Sequence, residues 1–473
     1  MDNLVGRSYE KRQFEKYSKS RQSEFVVVYG RRRVGKTFLI REFFNNNFHF
    51  QLTGLANATT HQQLVNFNAS LKKYSKNNKL QIANNWFEAF LQLGNYLEKN
   101  KDKRKVIFID ELPWLDTHKS DFISSLEHFW NSWASARKDI LLLTCGSAAT
   151  WIMNKLINNK GGLHNRITQK IKLQPFTLSE CELFFKSKNI VISRYQIIEA
   201  YMAMGGIPYY LNEMQKGLSI AQNLDTIFFT DNGLLQNEFN NLYASLFKNS
   251  DKHVAIVTAL AKKAKGLTRN EIIKISKLTN GGSTSKILDE LEISGFIRKY
   301  ISMDKKLRES IYQLTDFYTL FYFKFIHNNK NAKPNFWLTG IDSPERRSWS
   351  GYAFEQICLS HITQIKKELG INGVQTNEAS WLSNNAKSGT QIDLLIDRKD
   401  NVINLCEMKF SINRFNIDKK YANELRNKIG TFKTESKTKK AVHLTMISTY
   451  GTTENEYANE LVQNNLTMNC LFA

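Results

Sequence analysis

Cysteine and proline are both scarce in this chain, five of each in 473 residues. The cysteines (Cys145, Cys181, Cys358, Cys406 and Cys470) lie far apart and lack C-x-x-C spacing, which argues against a disulfide framework or a zinc knuckle. Most of them read as small buried hydrophobes. No run reaches the ~18 apolar residues of a membrane-spanning helix, and Met1-Asp2-Asn3-Leu4 lacks the charged-then-apolar pattern of a secretory signal. The expectation is a soluble, cytoplasmic protein with no membrane attachment. Acid is also in deficit: 44 Asp and Glu face 66 Lys and Arg, giving a net charge of +22 and a pI near 9.6. Such a balance attracts polyanions, nucleic acid first and anionic membrane second. Because the chain is also rich in Asn and Lys, charge supports DNA binding without proving it.

What is present is globular, 42% hydrophobic and 12% aromatic. The length calls for about two to four domains. The most informative stretch is Phe25-Val26-Val27-Val28-Tyr29-Gly30-Arg31-Arg32-Arg33-Val34-Gly35-Lys36-Thr37. An apolar β-branched run leads into G-x-x-x-x-G-K-T, and a helical segment, Thr37 to Phe44, follows. This is the context of a phosphate-binding loop. Gly30 and Gly35 permit tight turning, so backbone N–H groups and a helix N-terminus converge on one anion. Lys36 reaches toward β- and γ-phosphates, and Thr37 offers a hydroxyl to Mg²⁺. A second element is Lys105-Val106-Ile107-Phe108-Ile109-Asp110-Glu111, a buried-strand pattern ending in two acids. Asp110 suits Mg²⁺ binding, and Glu111 suits polarising the attacking water, which favours hydrolysis over transfer to an acceptor.

Along the chain, residues 1–174 read as an α/β domain. Its strands are expected at Phe25–Tyr29, His49–Leu52, Val106–Asp110, Ile140–Cys145 and Ile167–Leu173, in a mostly parallel sheet. At the end of the Ile140 strand, Thr144 and Ser147 are candidate γ-phosphate sensors or, equally, caps of a helix starting near Ala148. Arg166 is a candidate arginine finger across a subunit interface, or an ordinary solvated arginine. Residues 175–248 read as a helical lid broken by Gly205-Gly206-Ile207-Pro208.

Residues 249–327 read as a winged helix. Its helices are expected at His253–Lys263, Arg269–Lys277 and Ser283–Ser294, the second opened by a Thr268–Glu271 capping box. Wing strands at Phe296–Tyr300 and Ser310–Leu314 flank a loop carrying Lys305, Lys306 and Arg308. Ser283, Thr284, Ser285 and Lys286 suit a helix facing DNA, whereas Asp289, Glu290 and Glu292 do not. Protein docking is the other use of such a unit. Residues 328–348, with two of the five prolines, read as a linker.

Residues 349–473 carry a second constellation. Glu355 lies on a helix starting near Trp349. Strand Gln391–Asp397 embeds Asp393 among apolar residues, Arg398–Asn401 turns, and strand Val402–Phe410 carries Glu407 and Lys409 on one face. Two carboxylates and a lysine on one sheet face can bind Mg²⁺ and position a water for phosphodiester attack. A hairpin with a surface Asp and a Glu–Lys pair is the bland alternative.

On Val5-Gly6-Arg7 with Glu10, Gly30–Thr37, Ile109-Asp110-Glu111, Thr144–Ser147 and Gly205–Pro208, the chain resembles prokaryotic, archaeal-type P-loop ATPases related to AAA+ and STAND proteins. The agreement in order and spacing runs through roughly Met1 to Leu320. The resemblance implies ATP as the nucleotide, with Arg7 near the adenine and Arg31, Arg32, Arg33 and Val34 within the binding loop. Residues 349–473 are similar to the PD-(D/E)XK restriction-endonuclease-like fold. Asp393, Glu407 and Lys409 match its core motif, and Glu355 matches a helix acid of many members; no proline precedes Asp393. Two functions stay open: an ATP-dependent DNA nuclease, or an ATP-driven switch that binds DNA or a partner without cutting. A homo-oligomer is compatible with either.

Overall fold

The computed structural model describes residues 4–158, 161–162, 165–247, 249–300, 310–329, 335–383 and 390–473. The chain divides into two compact units, Met1–Pro175 and Phe176–Ala473.

In the first unit the apolar run around Val27 is too short and too β-branched for a helix, and it becomes a buried strand. The strands are β1 (Glu24–Tyr29), β2 (Phe50–Thr53), β3 (Lys105–Asp110), β4 (Ile140–Gly146) and β5 (Gln169–Lys172). They form one sheet in the order β2-β3-β4-β1-β5. Every neighbouring pair is parallel. The α/β class and the parallel sheet are thus as the sequence indicates. β5 is shorter than the expected Ile167–Leu173 because it is an edge strand paired only to β1. Thr168 replaces part of the ladder with its side chain, accepting from Phe25 N at 3.0 Å. Helix Trp86–Glu98 packs on one sheet face: Asn85 caps it, and Trp86, Phe90, Leu93 and Leu97 recur at helical spacing on its buried side. These side chains join Phe25, Val27, Ile107, Ile109 and Leu142 in one core.

The second unit opens with helices Leu178–Ser187, Arg194–Met204, Pro208–Leu211, Ile220–Phe229 and Glu238–Leu246. Gly206 is required where it stands, because a Cβ there would lie 1.9 Å from the Phe176 carbonyl oxygen. Helices Asp251–Ala261, Arg269–Ser276 and Gly282–Ile293 follow, the second opened by the full Thr268–Glu271 capping box. Strands β6 (Leu267–Thr268), β7 (Ile297–Tyr300) and β8 (Ile311–Leu314) form an antiparallel sheet in the order β6-β8-β7. The loop with Lys305, Lys306 and Arg308 lies outside the described residues. Thr284 is a correction to the sequence reading. It is buried and donates to Thr279 O at 2.7 Å, so it does not lie on the outer face of its helix.

The remaining strands are β9 (Thr376–Leu382), β10 (Gln391–Arg398), β11 (Val402–Lys409), β12 (Ala441–Ser448) and β13 (Val462–Thr467), in the order β13-β12-β11-β10-β9. β9, β10 and β11 are antiparallel, and β11, β12 and β13 are parallel. Helix Pro344–Ser360 begins five residues before Trp349, with Ser343 as its cap and Pro344 in its first turn. The pairing of β10 with β9 slips between Ile392 and Leu395, leaving one extra residue beside Asp393. Such a bulge re-aims the side chains that flank it.

Candidate functional site

After β1 the chain turns through Gly30 at φ +148° and Gly35 at φ +91°. A Cβ on Gly30 would meet the Leu173 carbonyl oxygen at 2.3 Å, whereas at Gly35 only the left-handed backbone demands glycine. Helix Lys36–Phe43 then starts without a side-chain cap, so the N–H groups of its first turn point into the loop. Lys36 is buried, and its Nζ donates to Gly30 O at 3.0 Å and Arg31 O at 2.9 Å. Burial pushes its pKa below the ordinary lysine value, against the pull of Cys145, Glu111 and Asp110. Arg31 and Val34 are buried, Arg33 is half-buried and Arg32 is exposed. Arg7 bridges the loop to the end of the unit, donating to Val34 O at 3.0 Å and Gln174 O at 2.7 Å.

Asp110, at the tip of β3, gathers three donors on one oxygen. Oδ1 accepts from Thr37 Oγ1 at 3.0 Å, Glu111 N at 3.0 Å and Cys145 Sγ at 2.8 Å. Burial first, and the Asp110 charge second, push the Cys145 pKa well up, which keeps it a thiol and therefore a donor. Cys145 is buried, as expected of most of the cysteines, and it also orients Asp110. Glu111 stands in a left-handed conformation, φ 47° and ψ 48°. Its carboxylate accepts from Ser147 N at 3.2 Å and from Ser147 Oγ at 3.0 and 3.2 Å. Thr144 is not brought to this cluster. It pairs in register with Ile109, not Asp110, and among the described residues its buried hydroxyl has no hydrogen-bond partner. Arg166 is exposed on the approach to β5. Thr37 and Asp110 form a hard-oxygen pair of the kind Mg²⁺ uses when phosphates and waters supply the rest of its shell, so these residues fit that ion.

In the second unit Glu355, Asp393, Glu407 and Lys409 all line one cavity of about 690 Å³. Lys409 Nζ lies 3.0 Å from Glu407 Oε1. Helix Lys419–Ser436 adds two partners absent from the sequence reading: Tyr421 OH donates to Glu407 Oε1 at 2.7 Å and Lys428 Nζ to Oε2 at 2.6 Å. Tyr421 and Lys428 sit two turns apart on one helix face, and that spacing was the available signal. Burial by itself would raise the Glu407 pKa, but Lys428 and Lys409 outweigh it and hold the carboxyl below its ordinary value. Glu355 goes the other way: burial, then the Asp393 charge, push it up to about 7. Asp393 Oδ1 accepts from Gln391 Nε2 at 2.7 Å. A divalent cation fits this crowd of acids, because it would offset the burial and the Asp393 charge that raise Glu355. Among the described residues no group of three or more His, Cys, Asp or Glu is itself arranged around a metal position.

Residues 4–214 match the family model described as an ATPase domain predominantly from Archaea. The amino-terminal part of the chain is therefore similar to archaeal-type ATPase domains, which supports ATP binding and hydrolysis. The match is shorter than the Met1–Leu320 span of the motif resemblance. An uncharacterized protein of Methanocaldococcus jannaschii is 24% identical over 367 residues, 77% of this chain and 78% of its own length. Among solved structures, a Walker-type ATPase of Pyrococcus abyssi aligns with a TM-score of 0.48 at 16% identity, covering 67% of this chain and 95% of the other. The ORC2 protein of Aeropyrum pernix aligns with a TM-score of 0.44 at 11% identity, covering 70% and 96%. Among the described residues no helix is long and apolar enough to cross a membrane.

Proposed function

We propose that this protein hydrolyses ATP with Mg²⁺ and couples the nucleotide to DNA binding and to metal-dependent DNA cleavage in its second unit. Thr37 and Asp110 would hold Mg²⁺, which would supply charge neutralisation at the phosphates. Lys36 exchanges its two backbone acceptors for phosphate oxygens. Glu111 accepts the proton of the attacking water, oriented by Ser147. Residues 249–327 are proposed as a winged helix, on the three helices and hairpin it contains. Residues 349–473 are proposed as a PD-(D/E)XK-like unit. Arg166 is proposed to act only if subunits complete one another's sites.

The observation behind cleavage is the shared cavity, where Glu355, Asp393 and Glu407 meet Lys409. Asp393 and Glu407 would hold the cation and Lys409 would stabilise charge on the phosphate under attack. The test is nicking of supercoiled plasmid with Mg²⁺ and ATP, beside Asp393→Ala. Nicking by the wild type alone supports the proposal; nicking by neither removes it. One observation favours a second reading, a switch that binds DNA or a partner without cutting. Both Glu407 oxygens are already engaged by Tyr421, Lys409 and Lys428.

A further inference from the structure

Part of the lining of the carboxylate cavity comes from another part of the second unit. Arg298 on β7, with Tyr300, Gln313 of β8 and the Ala264–Lys265 segment, lines the same space as Asp393 and Lys409. Arg298 is held by neutral groups. Its Nε donates to Gln313 Oε1 at 2.9 Å and its Nη2 to Gln356 Oε1 at 3.2 Å. Gln313 is itself fixed, donating to Ala264 O at 2.7 Å. Among the described residues no carboxylate comes within ion-pair distance of this guanidinium, and its Nη1 has no hydrogen-bond partner. Asp393 is felt as a charge but is not in contact.

Arg298 is half-buried, and a guanidinium partly withdrawn from water without a counter-ion gains from an anion that completes it. Gln313 engages both Nε and Nη2, and Gln356 engages Nη2, which holds the guanidinium plane in place and leaves Nη1 to donate to one oxyanion oxygen. We propose that Arg298 is the phosphate-positioning residue of this cavity, supplied by the three-stranded sheet and not by the five-stranded sheet that carries Asp393, Glu407 and Lys409. The proposal deepens the cleavage reading and rests on it for the identity of the ligand, a DNA phosphodiester. The carboxylates would hold the cation, and Arg298 would donate to the phosphate within the same cavity.

The experiment measures binding of a short DNA duplex by fluorescence anisotropy, with Ca²⁺ in place of Mg²⁺, across a salt series, and plasmid nicking in parallel. Arg298→Gln should weaken binding about tenfold and lower the slope of log affinity against log salt by about one. Arg298→Lys should keep the slope and lose less affinity, because the charge stays and the amide contacts that place it are lost. If Arg298→Gln does not fold by thermal melting, Arg298→Met, which keeps the apolar stem, replaces it with the same expectation. Unchanged affinity and slope overturn the proposal whether or not the wild type nicks DNA, as does a wild type that does not bind the duplex. A wild type that binds but never nicks, with a reduced slope in Arg298→Gln, retains the phosphate site and discards cleavage.

Discussion

Ser147 holds Glu111 with both of its donors, the backbone N–H at 3.2 Å and the hydroxyl at 3.0 Å from the same carboxylate oxygen. The pair joins the end of β4 to the end of β3 and fixes a side chain whose backbone is already in the left-handed region. Removing the hydroxyl should loosen the base without abolishing it. Ser147→Ala is expected to lower kcat for ATP about tenfold and leave nucleotide affinity nearly unchanged. Glu111→Gln should still bind ATP and lose at least about a hundredfold in kcat. Steady-state hydrolysis and calorimetric binding check both, and normal turnover by Glu111→Gln removes its assignment as base.

Gly30 and Gly35 make a contrasting pair. Alanine at Gly30 places a methyl group 2.3 Å from a backbone oxygen, which cannot retreat without moving β5. Gly30→Ala is expected to cost about 3 kcal/mol or more. Gly35→Ala meets no atom within 4 Å and pays only for its left-handed backbone, about 1 kcal/mol. Urea titrations of the two variants give the comparison; equal losses contradict it.

Asp139 precedes β4 and clamps the start of β3. Its carboxylate receives Lys105 Nζ at 2.6 Å and Arg137 Nε at 2.8 Å. Arg137 above all, with Lys105, lowers its pKa to about 2. A lowered acid stabilises above its ordinary value of 3.8, and that stability drains away as pH falls toward 2. Asp139→Asn leaves Lys105 buried without its charge partner and should cost about 3 kcal/mol at pH 7. The gap from wild type should narrow at pH 2.5, measured by chemical denaturation; a gap of constant size tells against the linkage.

Glu355 has the opposite sign. Its folded pKa is raised from 4.5 to about 7, so the folded state binds the extra proton. The stability this brings is complete below about pH 4.5 and lost as pH climbs through 7. Glu355→Gln should melt with the wild type at pH 5 and several degrees above it at pH 8. Divalent cations should raise the wild-type melting temperature at pH 8 and not at pH 5. Identical melting curves at both pH values would falsify the raised value.

Much of this was legible from residue order. The glycines and lysine of the loop, the apolar run ending in Asp110 and Glu111, and the alternation around Glu407 each follow from local periodicity. What was not legible depends on contacts between distant segments. Cys145 reads as core until β4 lies beside β3 and brings its thiol to Asp110. Thr144 and Ser147 are equivalent in sequence, and only the sheet register separates them. Tyr421 and Lys428 belong to a helix with no motif, and the bulge beside Asp393 depends on which strand pairs with β10. Arg298 lies outside both motif clusters.

The three donors converging on Asp110 Oδ1 make that single atom a knot between three segments. An asparagine there keeps an oxygen to receive the hydroxyl, the amide and the thiol, so it would remove charge while sparing the posture of the loop. An alanine would untie all three at once. Comparing those two replacements therefore separates what Asp110 does for a cation from what it does for the architecture around it.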